Sequence, residues 1–160
     1  MGEKIKKYFS LKEAQQKLRS YCAFQERCHS EVTAKAYDLG LSVEEANDLI
    51  AGLIEDNYLN EERFAIQFTG GKFRVKQWGR IKIKYELKAK FINPTIIKKA
   101  LATIDLEDYY RTVTKLYRTY YQKQKGLLQI KKLKTLKHLQ LKGYEVDIIN
   151  EVAKSSLAEL

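Results

Sequence analysis

Cys22, Cys28 and the neighbouring His29 are the residues whose types and spacing first suggest metal or thiol chemistry. A tetrahedral zinc site needs four ligands, and no second cluster of Cys or His completes one. The remaining histidine, His138, stands among lysines with no nucleophile or acid placed to form a catalytic pair. Gly70-Gly71-Lys72 lacks the G-x-x-x-x-G-K-[ST] spacing of a phosphate loop, and no apolar strand precedes it. The sequence therefore predicts no catalytic residue, no metal, no cofactor and no small-molecule substrate. Both histidines are expected at the surface or half-buried.

The chemistry that remains is electrostatic. Thirty Lys and Arg against twenty Asp and Glu give a formal charge of +10, unevenly spread. Residues 21–70 hold three basic and ten acidic residues; residues 71–104 hold ten basic residues and one acid, Glu86. An acidic front and a basic middle present two electrostatic faces, and the basic one suits a polyanion or an acidic protein. Lys72, Arg74, Lys76, Arg80, Lys82, Lys84 and Lys88 are the candidate binding residues, each contributing a little. Lys72, Arg74 and Lys76 are expected on a flexible segment ahead of the helix that carries the others. The competing reading is a solvated lysine face. Trp78, the only tryptophan, is expected to pack against neighbouring helices rather than stack on a base.

The elements that would position these residues read as helices. One proline and eight glycines in 160 residues argue against the many turns of a β-sandwich. Ser10 with Glu13 and Ser42 with Glu45 form capping boxes. Gly40 and Gly143 terminate helices, and Asn93-Pro94 reads as N-cap and first helical residue. Gly70-Gly71 is expected to weaken the far end of the helix that begins after Asn60. Tyr110, Val113, Leu116, Tyr117, Tyr120 and Tyr121 lie at helical spacing and are expected as core, over a base-stacking role. Residues 81–91 are ambiguous. Ile81, Ile83, Tyr85, Leu87, Ala89 and Phe91 alternate with charges as a strand would, yet helical spacing also fits.

Internal repetition bears on that ambiguity. Ile96, Ile97, Ala100 and Leu101 match Ile148, Ile149, Val152 and Ala153 at an offset of 52, and Leu87, Lys90 and Ile92 match Leu139, Lys142 and Tyr144 at the same offset. Leu49, Ile50, Leu53 and Ile54 match the first set at an offset of 47. A period near 50 with three helices per unit describes a short helical array. The third counterpart of residues 80–91, LKTLKHLQLKG, reads as helix. The predicted fold is all-α: three tandem three-helix repeats forming an elongated, curved, continuous array. A flexible basic N-terminus covers 1–9, and the repeats span 10–57, 58–104 and 105–156. The N-terminus lacks the apolar stretch of ~7–15 residues of a signal peptide. No run approaches the ~20 apolar residues of a membrane span. A cytoplasmic chain with free thiols is expected.

Tyr58-Leu59-Asn60-Glu61-Glu62-Arg63-Phe64-Ala65, Trp78-Gly79 with the Glu86-Leu87 that follows, and Lys142-Gly143-Tyr144 together resemble motifs of the RecX family of RecA regulators. Tyr58-Leu59-Asn60-Glu61-Glu62-Arg63-Phe64-Ala65 resembles that family's Y-L-D-D-x-R-F-A. Trp78-Gly79, then Ile81 or Ile83, then Glu86-Leu87 resemble its W-G-x-x-x-I-x-x-E-L, and Lys142-Gly143-Tyr144 its third-repeat R-G-F. Asn60 and Glu61 replace a usual pair of Asp, and Phe91 stands where the second repeat usually has Gly. The resemblance covers about residues 10–155 and implies a non-enzymatic function. That function is binding RecA, chiefly its filament on single-stranded DNA, and restraining ATP hydrolysis, strand exchange and filament growth. It implies a place in homologous recombination, DNA repair and the SOS response. The expected state is a monomer with no membrane association; direct contact with DNA is left open. A general helical nucleic-acid-binding module acting through its lysines is the alternative.

Overall fold

The computed structural model describes residues 9–158, which form nine helices and no strand. The first repeat contains α1 (Leu11–Phe24), α2 (His29–Asp38) and α3 (Val43–Glu55). The second contains α4 (Glu61–Arg74), α5 (Arg80–Ala89) and α6 (Pro94–Ala102). The third contains α7 (Leu106–Lys123), α8 (Leu128–Leu141) and α9 (Val146–Ala158). The fold is thus three tandem three-helix repeats. The N-terminal expectation concerns mainly residues 1–8, which lie outside the described ones. Phe9 itself is half-buried against the core of the first repeat.

Local chemistry sets the helix starts. Ser10 and Ser42 each accept a hydrogen bond from the backbone N–H three residues on, while Glu13 and Glu45 reach back to the cap N–H. Asn60, Asn93 and Asp105 cap α4, α6 and α7 through side-chain oxygens. The alternating stretch is helical: α5 buries Ile83 and Leu87, while Ile81 and Tyr85 face solvent. Two apolar residues four apart anchor one face, so the alternation reports exposed apolar groups rather than a pleat.

The second helix of every repeat ends in one device. Gly40, Phe91 and Gly143 adopt positive φ, at 86°, 62° and 96°. The next residues, Leu41, Ile92 and Tyr144, donate their N–H back to Ala36, Leu87 and Leu139, and all six residues are buried. This is a Schellman turn with its apolar contact. The turns recur at spacings of 51 and 52, which places Ala46, Ile97 and Ile149 in register. The 52-residue offset therefore holds. The 47-residue offset slips by one helical turn, because Leu-Ile pairs recur within α3 and align equally well one turn out of place.

Two cores lie along the array. One joins α4–α9; the other fills the first repeat. Each borrows a residue across the boundary: Cys28 enters the former and Leu59 the latter. The α7 core face is Tyr109, Val113, Tyr117 and Tyr121, all buried, with Tyr110, Leu116 and Tyr120 half-buried beside it. Tyr109 therefore joins the tyrosines expected as core. Cys22 and Cys28 are free and buried, and burial pushes the Cys22 thiol pKa up.

Candidate macromolecular interface

The helix α4 runs through Gly70-Gly71 to Arg74, so Lys72 and Arg74 are helical rather than on a flexible segment. Tertiary packing outweighs the two glycines: Phe73 beyond them is buried against Tyr109, with ring centroids 5.8 Å apart. The Arg74 guanidinium folds back over Gly70, about where a Cβ there would sit, with Nη2 at 2.7 Å. Lys76 lies in the five-residue gap before α5 that is closed by Trp78 and Gly79. Trp78 is half-buried against the α4–α9 core, and its ring lies 5.0 Å from Lys72 Nζ and 4.5 Å from Lys82 Nζ. The ring thus joins two cations from two helices. Lys84 and Lys88, one turn apart on α5, are exposed.

Arg80 is placed differently. Its guanidinium pairs with Glu145 at 2.7 Å and lies 4.3 Å over the Tyr109 ring. Its backbone N–H donates to the Tyr109 hydroxyl, which donates to Glu145 at 2.6 Å. Burial, then the bond to Glu145, holds the Tyr109 phenol well above its usual pKa. Arg80 therefore ties α5 to the third repeat. Lys90 does the same one repeat earlier, pairing with Glu31 at 2.9 Å. Neither Tyr109 nor Glu145 stood out in the sequence. The available signal was that Glu145 is the first acid after Asp108 in a long basic stretch.

The family-like motif residues build the junctions around this face. Arg63 donates to Glu26 at 2.6 Å and to the Asn57 and Tyr58 carbonyls, fastening the link between the first two repeats. Leu59 and Phe64 are buried on either side of that link, and the Tyr58 ring lies under Arg19. At the next junction the Gly79 N–H donates to the Lys142 carbonyl at 2.8 Å, and the Ile81 N–H to the Gly143 carbonyl at 2.9 Å. The open N–H groups of α5 thus meet the open carbonyls at the end of α8. The positive end of α5 therefore meets the negative end of α8, which is favourable. A Cβ on Gly79 would meet the Gly143 carbonyl and one on Gly143 would meet Lys82, so neither position has room for a side chain. Leu87 is fully buried and Glu86 half-buried on α5.

Beside Trp78 an open groove of about 300 Å³ runs between the end of α1 and α4, lined by Glu26, Phe64, Phe68, Lys72, Val75 and Lys76. Among the described residues, no group of three His, Cys, Asp or Glu is placed to hold a metal. Among them, no helix is long and apolar enough to cross a membrane. The arrangement offers charge, two half-exposed aromatic rings and a shallow apolar floor, which suit binding to a macromolecular surface.

Residues 60–101 match the family model for RecX, second three-helix domain. A regulatory protein RecX of Lactobacillus johnsonii is 32% identical over 148 residues, covering 91% of this chain and 54% of that protein. One from Clostridium perfringens is 30% identical over 132 residues, covering 80% of this chain and 61% of that protein. The chain thus spans a little over half the length of the curated relatives it matches. The crystal structure of RecX from Lactobacillus salivarius shares the fold, with a TM-score of 0.82 at 21% identity over 91% of this chain and 96% of that one. With the capped three-helix units, the W-G junction and these matches together, the chain belongs to the RecX family.

Proposed function

We propose that this chain is a regulator of RecA. In this reading it binds the recombinase and its filament on single-stranded DNA and restrains ATP hydrolysis, strand exchange and filament growth. It acts as a cytoplasmic monomer, by occupancy rather than by catalysis. The observation that carries the reading is the 32% identity to a protein named regulatory protein RecX across 91% of the chain. The electrostatics support it: Lys72, Lys76, Lys82, Lys84 and Lys88 form no ion pair with a carboxylate among the described residues. Arg80 is left out of this face because it already holds Glu145. Arg74 stays a candidate at its edge.

The test is a titration of RecA ATPase activity on single-stranded DNA, at several salt concentrations, with wild type and with Lys72, Lys76, Lys84 and Lys88 all changed to Gln. Wild type should inhibit at amounts well below those that coat the DNA. The variant should melt normally, inhibit less and show a flatter salt dependence. Inhibition only at strand-saturating amounts would favour a general nucleic-acid-binding module. Unchanged inhibition and an unchanged salt slope would reduce the lysines to a solvated face.

A further inference from the structure

The helix α8 carries apolar residues on two opposite sides, and the fold covers only one. Its inner side buries Thr135 and Leu139, with Leu136 half-buried. On the outer side Ile130, Leu133, Lys137 and Leu141 follow one another in steps of three and four, so they form one stripe, with Lys134 alongside. Ile130 is 46% exposed, Leu133 51% and Leu141 79%. A helix apolar on all sides is ordinarily buried on all sides, and three large aliphatic groups in one stripe exceed the scattered exposure of a typical surface. The charge around them has one sign. Between Tyr109 and Tyr144 there are ten Lys and Arg and no acid. Neither Lys134 nor Lys137 pairs with a carboxylate among the described residues.

We infer that the outer face of α8 is a second docking surface, and that its occupant is an acidic amphipathic helix on the protein partner. Leu and Ile side chains have no flat face on which a base could stack, so they add little to a nucleic-acid site. They do complete a site for a helix whose apolar residues lie in the stripe while its carboxylates meet Lys134 and Lys137. The surface lies on α8 of the third repeat, whereas the Trp78 lysines sit on α4 and α5 of the second. The inference rests on the RecA reading only for the identity of the partner, not for the chemistry of the surface.

Two variants test it. Ile130, Leu133 and Leu141 are changed together to Gln, which preserves charge and helix propensity; separately, Lys134 and Lys137 are changed to Gln. Labelled proteins are titrated by fluorescence anisotropy with RecA alone, RecA on oligo-dT, bare oligo-dT and a synthetic Leu/Glu amphipathic helix. The apolar variant should melt like wild type, lose about tenfold or more in affinity for RecA and for the peptide, and keep its affinity for bare oligo-dT. The lysine variant should lose affinity for the same two ligands at low salt and converge on wild type at high salt. Undiminished binding by the apolar variant to RecA and peptide would overturn the inference. Equal loss for bare oligo-dT would assign the face to nucleic acid instead. Sedimentation showing that wild type self-associates and the apolar variant does not would assign it to a second copy. Wild type that binds the peptide but not RecA would retire the RecA reading while the surface stands.

Discussion

Gly79 and Gly143 should be the least replaceable small residues in the chain. A Cβ on Gly79 would overlap the Gly143 carbonyl group and lie 2.5 Å from the Tyr144 N, against an ordinary 3.4–4 Å. Those atoms cannot give way. Gly143 is fixed in its Schellman turn, and Tyr144 is buried with its hydroxyl bonded to the Gln77 carbonyl at 2.8 Å. The second and third repeats must therefore separate by roughly an ångström, within a core packed too tightly to absorb it without cost. Overpacking costs about 1–3 kcal/mol. The two bonds between the repeats, Gly79 to Lys142 and Ile81 to Gly143, are each worth about 1 kcal/mol net. Gly79→Ala should thus destabilise by about 3–5 kcal/mol, a large share of the ~5–15 kcal/mol of an ordinary domain. Gly52→Ala is the control: it lies inside α3 with nothing within 4 Å and should gain about 0.5–1 kcal/mol. Urea unfolding followed by circular dichroism measures both, with the slope checked for loss of cooperativity. A Gly79→Ala midpoint equal to wild type, alongside a shifted Gly52→Ala control, would refute this account of the junction.

Phe91 holds φ 62° with its ring 84% exposed, so Phe91→Gly should stabilise by about 1 kcal/mol, read as a higher urea midpoint at constant slope. A lower midpoint would mean the ring makes contacts that matter. Trp78 is half-buried, so Trp78→Ala should cost about 1.5–2.5 kcal/mol, roughly half the ~3–5 kcal/mol of a fully buried ring. Calorimetry checks that figure. The Tyr109 and Tyr144 phenols are both held above their ordinary pKa of 10.0, first by burial. The folded form keeps protons that the unfolded form releases. Their contribution to stability is therefore complete below about pH 10 and is lost as pH rises through the folded values. Alkaline melts should show stability falling from that point, with the last phenolate absorbance appearing together with unfolding; all eleven tyrosines titrating before the fold is lost would contradict it. Burial, then Lys142, pushes the His138 pKa down, so this group should weaken the fold as pH drops from about 6.5 through its folded value. Replacing His138 with Gln should remove that part of the acid dependence.

The sequence by itself determined the helices, their starts and the repeat. Ser10, Ser42, Asn93 and Pro94 act on backbone groups within four residues, and Gly40 and Gly143 act at their own φ, so each leaves a local mark that can be read without the fold. Repetition resolved residues 81–91 in favour of helix where their own alternation did not. The use of individual cations was decided by tertiary structure. Arg80 meets Glu145 across 65 residues of sequence and Lys90 meets Glu31 across 59, and no spacing pattern encodes such a partner. Lys82 and Lys84 sit two apart in one helix, yet one lies over Trp78 and the other is exposed in solvent. The same holds for α8, where Leu139 is buried and Leu136 half-buried while Leu133 and Leu141 are exposed, though the sequence reads all four alike, as helix. Whether an apolar residue is buried depends on what packs against it, and in the third repeat α7 and α9 cover only one side of that helix.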